Sequence, residues 1–182
     1  MIWDQLTSPQ IGNLDKNIPV LLPIAATEQH GPHLPLATDR MIGEHFAMKL
    51  REAIPDKVLI LPTVGIGCSD HHMDFAGTLT HSHESFTQQV SEIINSVIHH
   101  GFHKIVIQNS HGGNLGVAQV ILERLGFENP GCQFVSLTWW RIAAENLMDI
   151  TETGLGGVGH ACEFETSLMM LIAPVLSCSR QD

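Results

Sequence analysis

The chain has no tyrosine, only nine lysines and arginines together, and four cysteines scattered as Cys68, Cys132, Cys162 and Cys178. Each shortage excludes something. Without C-x-x-C spacing the cysteines form neither a zinc knuckle nor a thioredoxin-type pair, and they read as free thiols of a reducing compartment, the cytoplasm. Nine cations against nineteen acids leave a formal net charge of −10. No Lys/Arg-rich run reverses that locally, so neither nucleic acid nor an anionic membrane surface is an expected partner. No apolar stretch approaches the roughly 20 residues of a membrane span. Met1-Ile2-Trp3-Asp4 lacks a basic segment leading into an apolar run, so no signal peptide is expected. Repeats, low-complexity stretches and linkers are also missing. With 43% hydrophobic residues in 182, one domain over 1–182 with a sizeable core is expected.

What the chain has in excess is histidine, twelve residues in all. Histidine is the commonest metal ligand and the usual proton carrier near neutral pH. His99, His100 and His103 have a bland explanation, because they fall near the end of a predicted helix where a cation is favoured beside the last carbonyls. The others call for individual weighing.

Strand and helix patterns alternate. The short apolar run at 20–24 reads as a buried strand, and 58–61, 104–108 and 133–137 read as three further strands. Helical periodicity covers 39–53, 82–98, 115–125 and 160–172. Ser82 or His83 lies near the cap of the second helix, Gly126 at the C-terminal cap position of the third, and Pro174 just after the fourth. Such alternation with fully apolar strands predicts a mostly parallel sheet covered on both faces, an α/β fold of three layers. Sites in these sheets form in the loops after the strands' carboxyl ends.

Four segments carry chemistry. Glu28-Gln29-His30 follows the first strand, and side chains two apart on extended backbone point the same way, so both can face one ion. Gly31, Pro32 and Pro35 fix an irregular backbone there. Asp39 opens the next helix, either as an N-cap or as a metal ligand. Asn109-Ser110-His111-Gly112-Gly113-Asn114 follows the third strand. Its glycines admit close approach of a bound group, and Asn114 is placed to cap the next helix; it matches neither G-x-G-x-x-G nor a P-loop. In His160-Ala161-Cys162-Glu163-Phe164-Glu165 a histidine and two acids start the last helix. Acids in a first turn complement the helix dipole, and residues two apart on a helix face differently, so at most one is a ligand. In the loop 67–78, His72 is placed to line a pocket and His71 to be simply exposed. The glycine-rich run 154–159 reads as a mobile loop. Carboxylate and imidazole donors of this kind suit Zn²⁺, Mn²⁺ or Fe²⁺, which would lower the pKa of bound water to about 7 for hydrolysis.

The order Glu28-x-His30-Gly31-Pro32-His33-Leu34-Pro35-Leu36-x-x-Asp39, then Gly67-x-Ser69-x-x-His72-x-x-Phe75-x-Gly77-Thr78, then Asn109-x-His111-Gly112-Gly113-Asn114, then His160-Ala161-x-x-x-Glu165-Thr166-Ser167 resembles the creatininase (creatinine amidohydrolase) family. The match runs from Glu28 to Ser167. Four motifs in order are far more specific than any one. The resemblance implies a three-layer α/β/α fold, two divalent metal ions per chain (zinc first, manganese or iron otherwise), hydrolysis of a C–N amide or formamide bond in a small molecule, and a homo-oligomer, often a hexamer. It implies that Glu28 and His30 bind separate metals, that Asp39 bridges both, that His111 is the next ligand and that His160 protonates the leaving nitrogen. Creatininase has a glutamate ligand where Gly113 stands. Glu165 is the expected replacement and Glu163 the alternative, which otherwise falls beside His160 as a catalytic candidate. A mobile creatininase tryptophan has no counterpart near Gly156, while Trp139 or Trp140 matches its other pocket tryptophan, so a substrate other than creatinine is expected. Family members continue for several tens of residues past the last motif, so a C-terminally shortened form is expected.

Two other readings compete. The vacancy at Gly113 and the short C-terminus fit a non-catalytic relative serving in assembly or ligand binding. A hydrolase using Ser110 or Cys162 as nucleophile would need an elbow of the G-x-S-x-G kind, which the chain lacks.

Overall fold

The structure, a computed structural model, describes residues 1–153 and 158–176. Gly154, Gly156 and Gly157 of the glycine run, and Cys178, lie outside the described residues. A short helix α1 (Ser8–Asn13) precedes β1 (Val20–Ile24), α2 (Thr38–Ala53), β2 (Leu59–Ile60), α3 (His83–His99), β3 (Lys104–Asn109), α4 (Leu115–Glu128) and β4 (Gln133–Thr138). Three helices follow: α5 (Trp139–Ile142), α6 (Ala144–Ile150) and α7 (Glu163–Ile172). Among the described residues no helix is long and apolar enough to cross a membrane.

The four strands form one parallel sheet in the order β2-β1-β3-β4. The chain moves one way from β1 to β2 and then back across β1 to β3 and β4. Right-handed crossovers therefore put the intervening helices on opposite faces. The core bears this out. Val20, Leu22 and Ile24 pack with Phe86, Val90 and Ile94 of α3 and Ile121 and Leu125 of α4. Leu21 points the other way, to Ala47 of α2, as the two-residue period of a strand requires. On that side α7 packs over α2 through Ile42, Phe164 and Met169. The result is the expected α/β/α sandwich, and the reversal of strand order falls between β1 and β3.

Several boundaries differ from expectation for physical reasons. The second strand is cut to Leu59–Ile60. Pro23 has no N–H to offer on its β2 side, where its carbonyl accepts from Val64, and Pro62 cannot donate either. Helix α4 runs through Gly126 and ends at Asn129, whose N–H reaches the Leu125 carbonyl. Helix α7 starts at Glu163, so His160 precedes it. Ser82 is the cap of α3, its hydroxyl accepting from the Ser85 N–H at 3.2 Å.

Helix α3 meets the sheet through Phe86, Val90 and Ile94. Phe86 is fully buried there, so Phe86→Ala should lower unfolding free energy by about 3–5 kcal/mol. The exposed Val120→Ala should shift it by less than about 0.5 kcal/mol. Urea denaturation followed by circular dichroism checks both, and equal effects would contradict this packing.

Candidate metal centre

The loop after β1 is built to converge. The Glu28 N–H donates to the Leu36 carbonyl at 3.0 Å, and His30 bridges to Leu34, so the segment closes on itself. Gly31 makes the turn at φ +62°, a conformation that side chains rarely adopt. Glu28 and His30 consequently point together into the interior, each about 1% exposed.

The other loops are knotted to this one by buried hydrogen bonds. Asn114 accepts from the Cys68 N–H at 3.0 Å and donates to the Ala25 carbonyl at 3.0 Å, joining the loops after β1, β2 and β3. That employment replaces its expected capping role, for its side chain makes no cap bond to α4. Asn109 accepts from the His111 N–H and donates to the His111 carbonyl, which fixes that residue's backbone. At Gly113 a Cβ would lie 2.1 Å from the Cys68 carbonyl oxygen and 2.5 Å from His111 Nε2. The glycine thus makes room for the Cys68 carbonyl and the His111 ring, and with Gly112 it lines the cavity.

Asp39 is the hub. It is the second residue of α2, whose cap position is Ala37, and its side chain makes no capping bond. The N-cap alternative is therefore set aside. Its Oδ1 lies 3.1 Å from His30 Nε2 and its Oδ2 lies 3.0 Å from His111 Nδ1, the second contact off the line of a hydrogen bond. Glu165 approaches His30 Nε2 at 3.8 Å, and Glu28 Oε1 approaches His111 Nδ1 at 3.4 Å. Each imidazole is oriented from behind. His30 Nδ1 lies 3.1 Å from the Glu28 carbonyl and His111 Nε2 lies 3.0 Å from the Cys68 carbonyl. A carbonyl only accepts, so those nitrogens carry the protons, and in the neutral rings the opposite lone pairs face carboxylates.

Lone pairs facing lone pairs in a buried site need a positive charge between them. Glu28 Oε2, Asp39 Oδ2 and Glu165 Oε2 are all buried without a hydrogen-bond partner, an arrangement that costs several kcal/mol per ion if left uncompensated. Three carboxylates and two correctly turned imidazoles fit divalent cations. Glu28, His30 and Asp39 bring one ligand atom each within 4.8 Å of one another, as do Glu28, His71 and His111. The protonation equilibria express the same demand. Burial works against a charge on His30, but Asp39 and Glu165 outweigh it and raise its pKa to about 11. Burial likewise opposes charge on His111, yet Asp39 and Glu28 raise its pKa. Burial would lift the Asp39 pKa, and the His111 and His30 imidazoles beside its carboxylate lower it instead.

The remaining expected residues divide. His160 and His72 lie at the mouth, with His160 Nδ1 3.5 Å and His72 Nε2 3.7 Å from Glu28 Oε1. Their rings stack at 4.2 Å. Gln29 Oε1 holds His160 Nε2 at 3.0 Å. Burial lowers the His72 pKa. Trp140 lines the cavity, of about 490 Å³, beside His160 and Glu165. Trp139 does not; it is packed in the core against Phe46 of α2. Glu163 is also placed elsewhere than expected. Its carboxylate accepts from the Thr151 hydroxyl and from the N–H groups of Glu152 and Thr153, which hold its pKa low. It does not line the cavity and anchors the segment ahead of the glycine run. His71, read as merely exposed, stacks on His111 at 5.9 Å and lines the cavity; only its adjacency to His72 hinted at this. A larger groove of about 890 Å³ between α3 and α4 is lined by their solvated faces.

Residues 4–178 match the family described as Creatininase: Creatinine amidohydrolase. The chain is 30% identical over 176 residues to the mycofactocin precursor peptide peptidase of Mycobacterium tuberculosis (strain CDC 1551 / Oshkosh), covering 92% of this chain and 63% of that one. It is 25% identical over 173 residues to the creatinine amidohydrolase of Pseudomonas putida, covering 86% and 65%. The chain thus spans just under two thirds of the length of these relatives. A solved structure described as creatininase with Mn superposes with a TM-score of 0.83 at 24% identity, over 97% of this chain and 74% of that one.

The raised pKa of His30 has a measurable sign. In metal-free protein its stabilising contribution is complete below its ordinary value near 6.5 and is lost as pH rises through about 11. At pH 8 the ring is therefore protonated, and cation binding must expel that proton. Zinc added to metal-free protein in weakly buffered solution at pH 8 should release at least one proton per chain, and His30→Gln should release fewer. Binding without proton release would contradict the assignment.

Proposed function

From the premise that this chain belongs to the creatininase family, we propose that it is a metal-dependent hydrolase that cleaves a C–N amide or formamide bond in a small molecule. The observation that carries this reading is the Asp39 carboxylate, with one oxygen towards His30 and the other towards His111. That is the disposition of a bridging ligand. Glu28 and His111 would complete one cation position, and His30 and Glu165 the other. When bound, two such ions supply the Lewis acidity that makes water a nucleophile at neutral pH and polarises a carbonyl.

The chain's own residues do the rest. The cavity mouth admits a small amide between Trp140 and His72, with its carbonyl directed at the carboxylate cluster. Water oxygen adds to the amide carbon as the His160 Nδ1 lone pair takes its proton, and the C–N bond breaks as Nδ1 returns that proton to the leaving nitrogen. Gln29 orients that ring through Nε2, so that Nδ1 faces Glu28 and the reacting atoms. A positioned proton donor of this kind contributes about 10²–10⁴-fold. Creatinine is not the proposed substrate, and the name of the 30% identical mycobacterial relative makes a peptide bond a fair second target for assay. The free thiols Cys68, Cys132 and Cys162 are consistent with a reducing cytoplasm. Exposed Ile142, Met148 and Ile150 favour a homo-oligomer, which light scattering would measure.

Two outcomes are expected from a panel of amides, formamides and short peptides assayed with added Zn²⁺, Mn²⁺ or Fe²⁺. Asp39→Ala should lose both cations by elemental analysis and all activity. His160→Ala should keep its metal while kcat falls about 10²–10⁴-fold. Unchanged metal content in Asp39→Ala would sink the bridging role, and turnover insensitive to chelators would sink the metal reading.

A further inference from the structure

Glu28 Oε1 has more imidazoles around it than a two-ion centre uses. His111 Nδ1 stands 3.4 Å away on the inner side, while His160 Nδ1 at 3.5 Å and His72 Nε2 at 3.7 Å stand on the outer side. Glu28, His72 and His160 offer one ligand atom each, all within 4.8 Å of one another. Donors about 2.0–2.2 Å from one tetrahedral cation lie about 3.3–3.6 Å apart, close to the two separations from Glu28.

The orientation of the donors matches as well. Gln29 Oε1 takes the hydrogen of His160 Nε2, which turns the Nδ1 lone pair towards Glu28. The second Glu28 oxygen is buried and has no partner, so the carboxylate can serve cations on both sides. Two imidazoles and a carboxylate are a borderline donor set that suits Zn²⁺ better than Mg²⁺ or Ca²⁺. His160 keeps 34% of its side chain exposed and His72 keeps 15%, so the position opens to solvent through the cavity mouth.

We propose that Glu28, His72 and His160 form a third, weaker zinc site that is inhibitory. It rests on the two-ion reading above. A cation on His160 Nδ1 occupies the atom that delivers the proton to the leaving nitrogen, and it fills the space between His72 and Trp140 where the substrate enters. Turnover then stops with the inner pair of ions still in place. Repulsion from two cations already bound makes the third bind more weakly.

Equilibrium dialysis of the intact chain against graded free Zn²⁺, followed by elemental analysis, tests this. The wild type should take up two equivalents and then a third at free zinc at least about tenfold higher. His72→Ala and His160→Ala, each checked for folding by circular dichroism, should both stop at two. His71→Ala should still reach three, because that ring faces Glu28 from the His111 side. A wild type that saturates at two overturns the third site alone. So does a third equivalent that survives in both His72→Ala and His160→Ala, or one lost in His71→Ala. A wild type that fails to hold the first two would instead overturn the two-ion reading beneath it.

Discussion

The structure turns on three carboxylates held close together away from water. Glu28, Asp39 and Glu165 come from a loop, a helix start and a second helix start, and burial would ordinarily neutralise such groups or drive them apart. They stay together because His30 and His111 are interleaved between them, each held from behind by a backbone carbonyl. Most of what surrounds the site serves that arrangement. The sheet reverses its strand order between β1 and β3, which opens the crevice where the β1 and β3 loops meet. Asn114 then ties those loops and the β2 loop to one another. Without positive charge in the middle, the same geometry would be a concentrated source of instability.

The division of labour follows the secondary structure. Asp39 and Glu165 sit in the first turns of α2 and α7, where the helix dipole favours negative charge. His111 is pinned by Asn109, so its ring position is set by its own neighbourhood. The open side is furnished differently, with His71, His72, Trp140 and His160 presenting ring faces and polar edges to a cavity that admits a small molecule.

Much of this was legible in the sequence, and the exceptions share a cause. Apolar runs and helical stripes located the strands of the sheet and the helices α2, α3, α4 and α7, most plainly where burial on two faces leaves its pattern, as in β1. The His30 and His111 loops stood out because they fall directly after strands. Asp39 left two readings open, because a capping acid and a bridging ligand occupy the same place in a pattern; only the position of His111, 72 residues along the chain by its number, separates them. The parity rule said that Glu163 and Glu165 diverge, but not which turns inward. Trp139 and Trp140 posed the same question, decided by the contact of Trp139 with Phe46 of α2. Pro23 shortened β2 through a missing donor on a neighbouring strand, which no local window records. In each case the residue type was readable and the direction of its side chain was a tertiary fact.

Ala161 bears on how such a site could work. It takes a φ of +51° between His160 and the start of α7, a strained setting for a residue with a side chain. That kink separates two residues only five positions apart. Glu165 lies in the first turn of α7 and belongs to the helix. His160 stands before it on the other side of the kink, turned to Gln29 and to Glu28. In the proposed reading the helix would carry an ion ligand and the irregular backbone the proton carrier, so one unfavourable backbone angle would give each its own setting.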